Sequence, residues 1–120
     1  TEDGDTYVYL FSHRPPGRNE DTMWAWHSSE MWYTFASLRD IPEQREWEPW
    51  DYELADIMSS YWANFIKFGD PNASGLPAWE PSSSDSLSYM EFGDEIIPDT
   101  TISKLDQLMI DYARRQFSVE

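Results

Sequence analysis

In residues 7–12 (Tyr7-Val8-Tyr9-Leu10-Phe11-Ser12) the first five are aromatic, aliphatic or β-branched, with no polar alternation. A strand with one solvated face alternates between apolar and polar, so a run like this suits a strand buried on both faces, as in a mostly parallel sheet. Such a strand needs neighbours on both edges. Little else in the chain can supply them: Leu87 to Phe92 reads as one further short strand, closed by Gly93-Asp94. Two strands do not make a stable open sheet beneath several helices. The run therefore predicts an α/β chain whose remaining strands belong to another part of a larger sheet. The chain reaches this strand almost at once, as a piece of a longer protein would.

The rest reads mainly as helix and loop. Pro15-Pro16-Gly17 stops the strand, and Arg18 to Asp21 follow as polar loop. Beyond His27, Met31, Phe35 and Leu38 recur at helical spacing, with Ser28 or Ser29 placed to cap. Residues 39–50 are charged, Pro-containing and Trp-bearing, and read as ordered loop. The clearest helix runs from about Asp51 to Phe68, where Leu54, Ile57, Met58, Tyr61, Phe65 and Phe68 form one stripe. Asp51 can cap its start, and Gly69 stands where a left-handed residue is wanted. Residues 73–86 are rich in Ser, Pro and Gly and read as surface loop around Trp79. A last helix is expected from about Thr101 to Phe117, with Ile102, Leu105, Met109 and Tyr112 on one face and Arg114 and Arg115 in its final turn.

At 120 residues there is room for a single domain with a modest core. Eight Lys and Arg against 23 Asp and Glu give a net charge of −15. That balance argues against nucleic acid and anionic membrane surfaces as partners. The absence of Cys rules out disulfides and zinc-thiolate sites. No apolar run approaches the ~20 residues of a membrane span. No metal motif and no phosphate-cradling loop occurs, so neither a metal nor another cofactor is expected. The compartment is left open, with a lean towards the secreted or extracytoplasmic. Asn72-Ala73-Ser74 has the form of a glycosylation acceptor, a triplet common by chance.

Candidate chemistry centres on the histidines. His27 lies in Met23-Trp24-Ala25-Trp26-His27-Ser28-Ser29-Glu30-Met31-Trp32-Tyr33, between aromatic side chains and three residues before a carboxylate. A histidine can move protons near neutral pH, although one among tryptophans is more often packed and hydrogen-bonded. His13 directly follows the buried strand with Arg14 beside it, which suits a structural role better. No nucleophile motif accompanies His27: there is no Cys, and the glycines never fall four apart as Gly-x-Ser-x-Gly requires.

Four segments in order resemble the C-terminal part of a type-B carboxylesterase, the family that includes cholinesterases and bacterial p-nitrobenzyl esterases. The first is Tyr7 to Arg14, and the second is His27-x-x-Glu30 with the aromatic run to Phe35. The third is Tyr61-Trp62-Ala63-Asn64-Phe65-Ile66-Lys67-Phe68-Gly69-Asp70-Pro71-Asn72, and the fourth is Pro77-Ala78-Trp79-Glu80-Pro81 with Tyr89-Met90-Glu91-Phe92. The resemblance spans nearly the whole chain. It implies an α/β-hydrolase fold, of which residues 1–120 would be the C-terminal portion of one catalytic domain: a sheet strand, the His loop and three helices, incomplete without upstream strands.

The resemblance also implies ester hydrolysis. The family's triad runs Ser, then Asp or Glu, then His along the chain, so a C-terminal piece keeps the His alone. His27 would be the triad base, with the serine and the acid upstream. Glu30 matches a buried supporting glutamate of the family and not the triad acid. Trp24, Trp26 and Met31, with Trp32 a weaker candidate, would line a pocket for a small-molecule ester of aromatic or bulky kind, or else pack the His loop onto the sheet. Pro15-Pro16-Gly17 and Ser28-Ser29 depart from the family, the latter replacing a Gly-aromatic pair, so the ester itself does not carry over. Besides substrate, the one implied partner is the upstream part of the same domain, and the isolated chain is expected to be inactive. The competing expectations are a sugar-binding module built on exposed Trp and Tyr, and an esterase-like adhesion protein without catalysis.

Overall fold

The computed structural model describes residues 4–17, 20–40 and 45–117. Seven elements follow in order: β1 (Tyr9–Phe11), α1 (Glu20–Met23), α2 (Met31–Thr34), α3 (Pro49–Phe68), β2 (Tyr89–Phe92), β3 (Ile96–Asp99) and α4 (Lys104–Phe117). The strands form one mixed sheet in the order β1-β2-β3. β1 runs parallel to β2, with Tyr9 opposite Met90 and Phe11 opposite Phe92. β2 turns back antiparallel into β3, pairing Phe92 with Ile96. The sheet is thus mixed rather than mostly parallel, because a short turn at Gly93 to Glu95 reverses the chain and Gly93 N donates to Glu95 O at 3.0 Å.

α3 forms for reasons visible in its sequence. Pro49 stands at its start, where a missing N–H costs nothing. Glu48 and Asp51 make a reciprocal capping box, and Gly69 ends the helix at φ 73°. Asp51 is therefore the third residue of the first turn, not the cap itself. Leu54, Met58 and Tyr61 bury the inner face against Trp79, Met90 and Phe92. The ends of the expected stripe, Phe65 and Phe68, stay exposed. The core is dominated by edge-to-face aromatic pairs. Trp79 meets Tyr61 at 5.3 Å and Phe92 at 5.6 Å between ring centres, and Tyr9 meets Trp62 at 5.1 Å. Each such pair is worth about 0.5–1.5 kcal/mol beyond the area it buries.

Four expectations are corrected. β1 is shorter than residues 7–12, and Tyr9 and Leu10 are exposed, because among the described residues the strand has a neighbour on one edge only. β3 was not anticipated; its Pro98 cannot donate to a ladder and is tolerated on an edge strand. α2 is a single turn whose buried residue is Tyr33, while Met31 and Phe35 face solvent. Ala36 at φ 46° closes it. Finally, Glu20–Met23 is a short helix where polar loop was expected.

α4 begins at Lys104, with Ser103 Oγ accepting from Asp106 N at 3.1 Å in the manner of a cap. Leu105, Met109 and Tyr112 are exposed along it.

Candidate active site

The two histidines have opposite surroundings. His13 follows β1 by two residues, and its backbone N–H, like that of Ser12, donates to Phe92 O. Its side chain is 9 % exposed. Nε2 lies 2.8 Å from Asp51 Oδ1 and Nδ1 3.1 Å from Asp94 Oδ1, both at hydrogen-bond distance. Tyr33 adds its hydroxyl to the same Asp51 oxygen at 2.6 Å, and Glu48 N donates to Asp51 Oδ2 at 2.7 Å. Burial alone would lower the His13 pKa, but the bonds to Asp51 and Asp94 outweigh it and hold the ring above its ordinary value. Burial likewise pushes Asp51 up, and the donors from His13, Tyr33 and Glu48 outweigh it, holding the carboxylate below its ordinary range. Burial and the Asp51 bond together raise Tyr33 far above an ordinary phenol. His13 is structural, as expected. Its partners, 38 and 81 residues away, were not foreseen. The available signals were a histidine directly after a buried strand and an acid in the first turn of a long helix.

His27 is exposed, and among the described residues its ring takes part in no hydrogen bond or ion pair. It sits on a tight turn. Ser29 N donates to Trp26 O at 3.0 Å and Met31 N to Ser28 O at 3.2 Å. Trp24 at φ 53° and Ser28 at φ 69° flank it in the left-handed region, which side chains other than Gly rarely adopt. Each such residue costs on the order of 1–3 kcal/mol, and such residues concentrate at functional sites. Neither expected cap forms: Ser28 is left-handed, and Ser29 is fully buried with its Oγ unpartnered among the described residues.

Glu30 is half-buried at the start of α2, with no side-chain cap bond. After burial, its charge is what raises the pKa of Tyr9.

The aromatic neighbours divide. Trp26 packs edge-on against Trp32 at 5.7 Å, and the Arg45 guanidinium lies over the rings of Trp26, Trp32 and Trp47 at 5.0, 4.5 and 5.6 Å. Arg45 also donates to Pro16 O at 2.7 Å, tying the His27 turn to the end of the preceding loop. No sequence pattern pointed to Arg45. Trp24 is 58 % exposed under Arg14 at 4.6 Å, and Met31 is 48 % exposed. Trp62 and Trp79 are framework residues, as expected. Tyr33, Tyr61, Trp79 and Phe92 are buried in the core, while Tyr7, Tyr9, Trp62 and Phe65 line an open aromatic pocket beside Trp79. Among the described residues no group of three or more His, Asp or Glu could hold a metal ion, and no helix is long and apolar enough to cross a membrane.

The sequence profile described as the carboxylesterase family matches residues 1–108. Human bile salt-activated lipase is 36 % identical over 91 residues, covering 72 % of this chain and 12 % of the lipase. Mouse carboxylesterase 1E is 32 % identical over 93 residues, covering 73 % of this chain and 16 % of the enzyme. The chain thus spans less than a fifth of the length of these relatives. Among solved structures, the Geobacillus stearothermophilus carboxylesterase EST55 superposes with a TM-score of 0.69 at 22 % identity, covering 87 % of this chain and 21 % of the other. A thermophilic p-nitrobenzyl esterase superposes with a TM-score of 0.66 at 22 % identity, covering 79 % and 20 %. These structures are α/β-hydrolase esterases, and the small mixed sheet with its helices has the fold of a segment of one. The chain belongs to the carboxylesterase family.

Proposed function

We propose that this chain is the C-terminal segment of the catalytic domain of a serine carboxylesterase and supplies the triad base, His27. In this reading a serine hydroxyl from the upstream part attacks the ester carbonyl carbon while His27 takes its proton. The histidine then returns that proton to the departing alcohol oxygen. Water repeats the sequence and releases the acid. The triad acid and the backbone N–H groups that hold the oxyanion lie upstream as well. Glu30 supports the turn from behind. Trp24, Trp26 and Met31 border the substrate, Trp24 and Met31 with the larger free surfaces.

One observation carries the choice of His27. Both ring nitrogens of His13 are committed to carboxylates, whereas the His27 ring is free among the described residues and stands on a turn held between two left-handed residues. A base must be able to accept and release a proton, and only His27 has a nitrogen available for it.

The test uses the complete protein. His27→Ala is expected to lower kcat by roughly 10⁴-fold or more with little change in KM. Retained turnover would remove His27 from the triad and favour a non-catalytic reading. The 120 residues alone are expected to turn over no ester; turnover by them would show that the nucleophile is not upstream.

A further inference from the structure

α2 is too short to hold itself in place. It has four residues, no side-chain cap, no acid in its first turn and no base in its last. A single helical turn has no stability of its own, since nucleation costs more than one turn returns. Its only buried residue is Tyr33, whose hydroxyl donates to Asp51 Oδ1 at 2.6 Å. The Tyr33 ring also lies tilted on Phe11 at 5.2 Å and edge-on to His13 at 5.6 Å and to Trp47 at 6.0 Å.

The segment from Trp26 to Ser37 is laced without slack. Ser29 N reaches Trp26 O, Met31 N reaches Ser28 O, Tyr33 N and Thr34 N both reach Glu30 O, Phe35 N reaches Met31 O, and Ser37 N reaches Trp32 O at 2.8 Å. A continuous run of backbone hydrogen bonds thus joins the His27 turn to α2. Asp51, at the other end of the Tyr33 bond, is itself immobile. It is 1 % exposed in the first turn of the 20-residue α3, its second oxygen is fixed by Glu48 N, and His13 ties it to the end of β1.

We propose that Tyr33 is a positioning residue for His27: its hydroxyl bond to Asp51 registers the turn that carries His27 against β1 and α3. The inference rests on the reading of His27 as the base. Tyr33 touches neither substrate nor the reacting atoms. It acts by setting where the imidazole stands, and catalysis is sensitive to such placement, with about 1 Å of misplacement able to cost ~10²-fold in rate.

The test is Tyr33→Phe in the complete protein, which removes one oxygen and keeps the ring in the core. kcat is expected to fall roughly ten- to a hundred-fold, counted per reactive serine by fluorophosphonate titration, while KM stays within about two-fold. Met58→Val, buried at 0 % exposure on α3, serves as the control for lost stability alone and should leave kcat unchanged below its Tm. If Y33F does not accumulate as folded protein, Asp51→Asn weakens the same bond by making its acceptor neutral, and kcat should then fall ~3- to 10-fold with KM held. Unchanged kcat per site in Y33F, or in D51N where that variant stands in for it, leaves Tyr33 a packing residue and overturns the proposal. Turnover retained in H27A removes the reading beneath it. Turnover lost in H27A but kept in Y33F removes the positioning role alone.

Discussion

Tyr33 and His13 place their polar atoms on a single oxygen, Asp51 Oδ1, at 2.6 and 2.8 Å. Asp51 is 1 % exposed, and its Oδ1 is solvated within the protein by those two groups. Asp94, the other partner of His13, has a 93 % exposed side chain, and its share is screened by solvent. A neutral imidazole carries one N–H and would leave one of its nitrogens facing a carboxylate oxygen without a proton between them. The cluster therefore favours His13 as the imidazolium, in line with its raised pKa.

Stability follows from that charge. The folded pKa of His13 is above its unfolded value, so its contribution is fully present below about pH 6.5 and is lost as pH rises through the folded pKa. Asp51 is depressed, so its contribution is present above about pH 4 and is lost as pH falls through its folded pKa. The pair is at full strength between those limits. The other charges facing the group are Arg14, Asp21 and Glu48, which line the same cavity of about 270 Å³, and Arg45 near Tyr33. His13→Gln is expected to lower Tm most between about pH 5 and 6.5, with the gap to wild type narrowing towards alkaline pH. Thermal unfolding of both proteins across that range is the measurement. A gap that does not vary with pH would mean that His13 is neutral in the fold.

The long helix was legible because twenty residues carry several agreeing signals. An acid lies in its first turn, a stripe runs through Leu54, Met58 and Tyr61, and Gly69 stands at its end, while Pro49 and Trp50, read as loop, begin the helix two residues earlier. Each short element had too few residues for a period to show. α2 exposes the Met31 that periodicity would bury, since one turn anchored by Tyr33 fixes its own rotation. β3 hid behind Pro98, which reads against a strand unless the edge is known. The His13 cluster joins residues 38 and 18 positions from Asp51, and no local pattern encodes such a meeting. His27 was singled out by its neighbours and by the order of motifs, whereas the strain around it became visible only in the backbone angles.

That strain gives a second prediction. Ser28 stands at φ 69°, where a side chain costs about 1–2 kcal/mol and Gly nothing. Gly would lose about 0.4–1 kcal/mol through the greater freedom of the unfolded chain. Ser28→Gly is therefore expected to stabilise by up to about 1 kcal/mol, read as a higher urea midpoint. The Ser28 carbonyl that accepts from Met31 N is kept. A lower midpoint would show that the Ser28 hydroxyl makes a bond worth more than the strain.

Asn72 heads a glycosylation triplet, yet its amide is already engaged. Oδ1 accepts from Trp79 N at 2.7 Å, while Nδ2 donates to Trp79 O at 2.9 Å and to Asp70 Oδ1 at 2.8 Å. The side chain thus pairs with Trp79 as a neighbouring strand would, holding a buried tryptophan at the centre of the core. A glycan on Nδ2 would leave one N–H for two acceptors. Asn72 is expected to remain unmodified in protein from a secretory host, with no mass change on amidase treatment. Asn72→Ala should destabilise by about 2–3 kcal/mol, since it strips the partly buried Trp79 backbone of both partners. A glycosylated protein of unchanged Tm would refute both expectations.

Gly93 is buried at the end of β2, where an added Cβ would lie 2.6 Å from Ser12 Oγ. The turn has no room to retreat. Gly93 N is bonded to Glu95 O at 3.0 Å, and Gly93 O accepts from Trp50 Nε1 at 3.1 Å. Ser12 can yield only by giving up its hydrogen bond to Glu91 Oε1. Gly93→Ala is expected to cost about 1–3 kcal/mol, the usual range for forcing an extra methyl into packed surroundings. If the cause is this one contact, Ser12→Ala should relieve it, and the double variant should be more stable than the sum of the single effects by ~1 kcal/mol or more. Chemical denaturation of the four proteins closes the cycle. Additive effects would place the cost in the turn backbone, and the approach of β1 to this turn would then play no part in excluding a side chain from position 93.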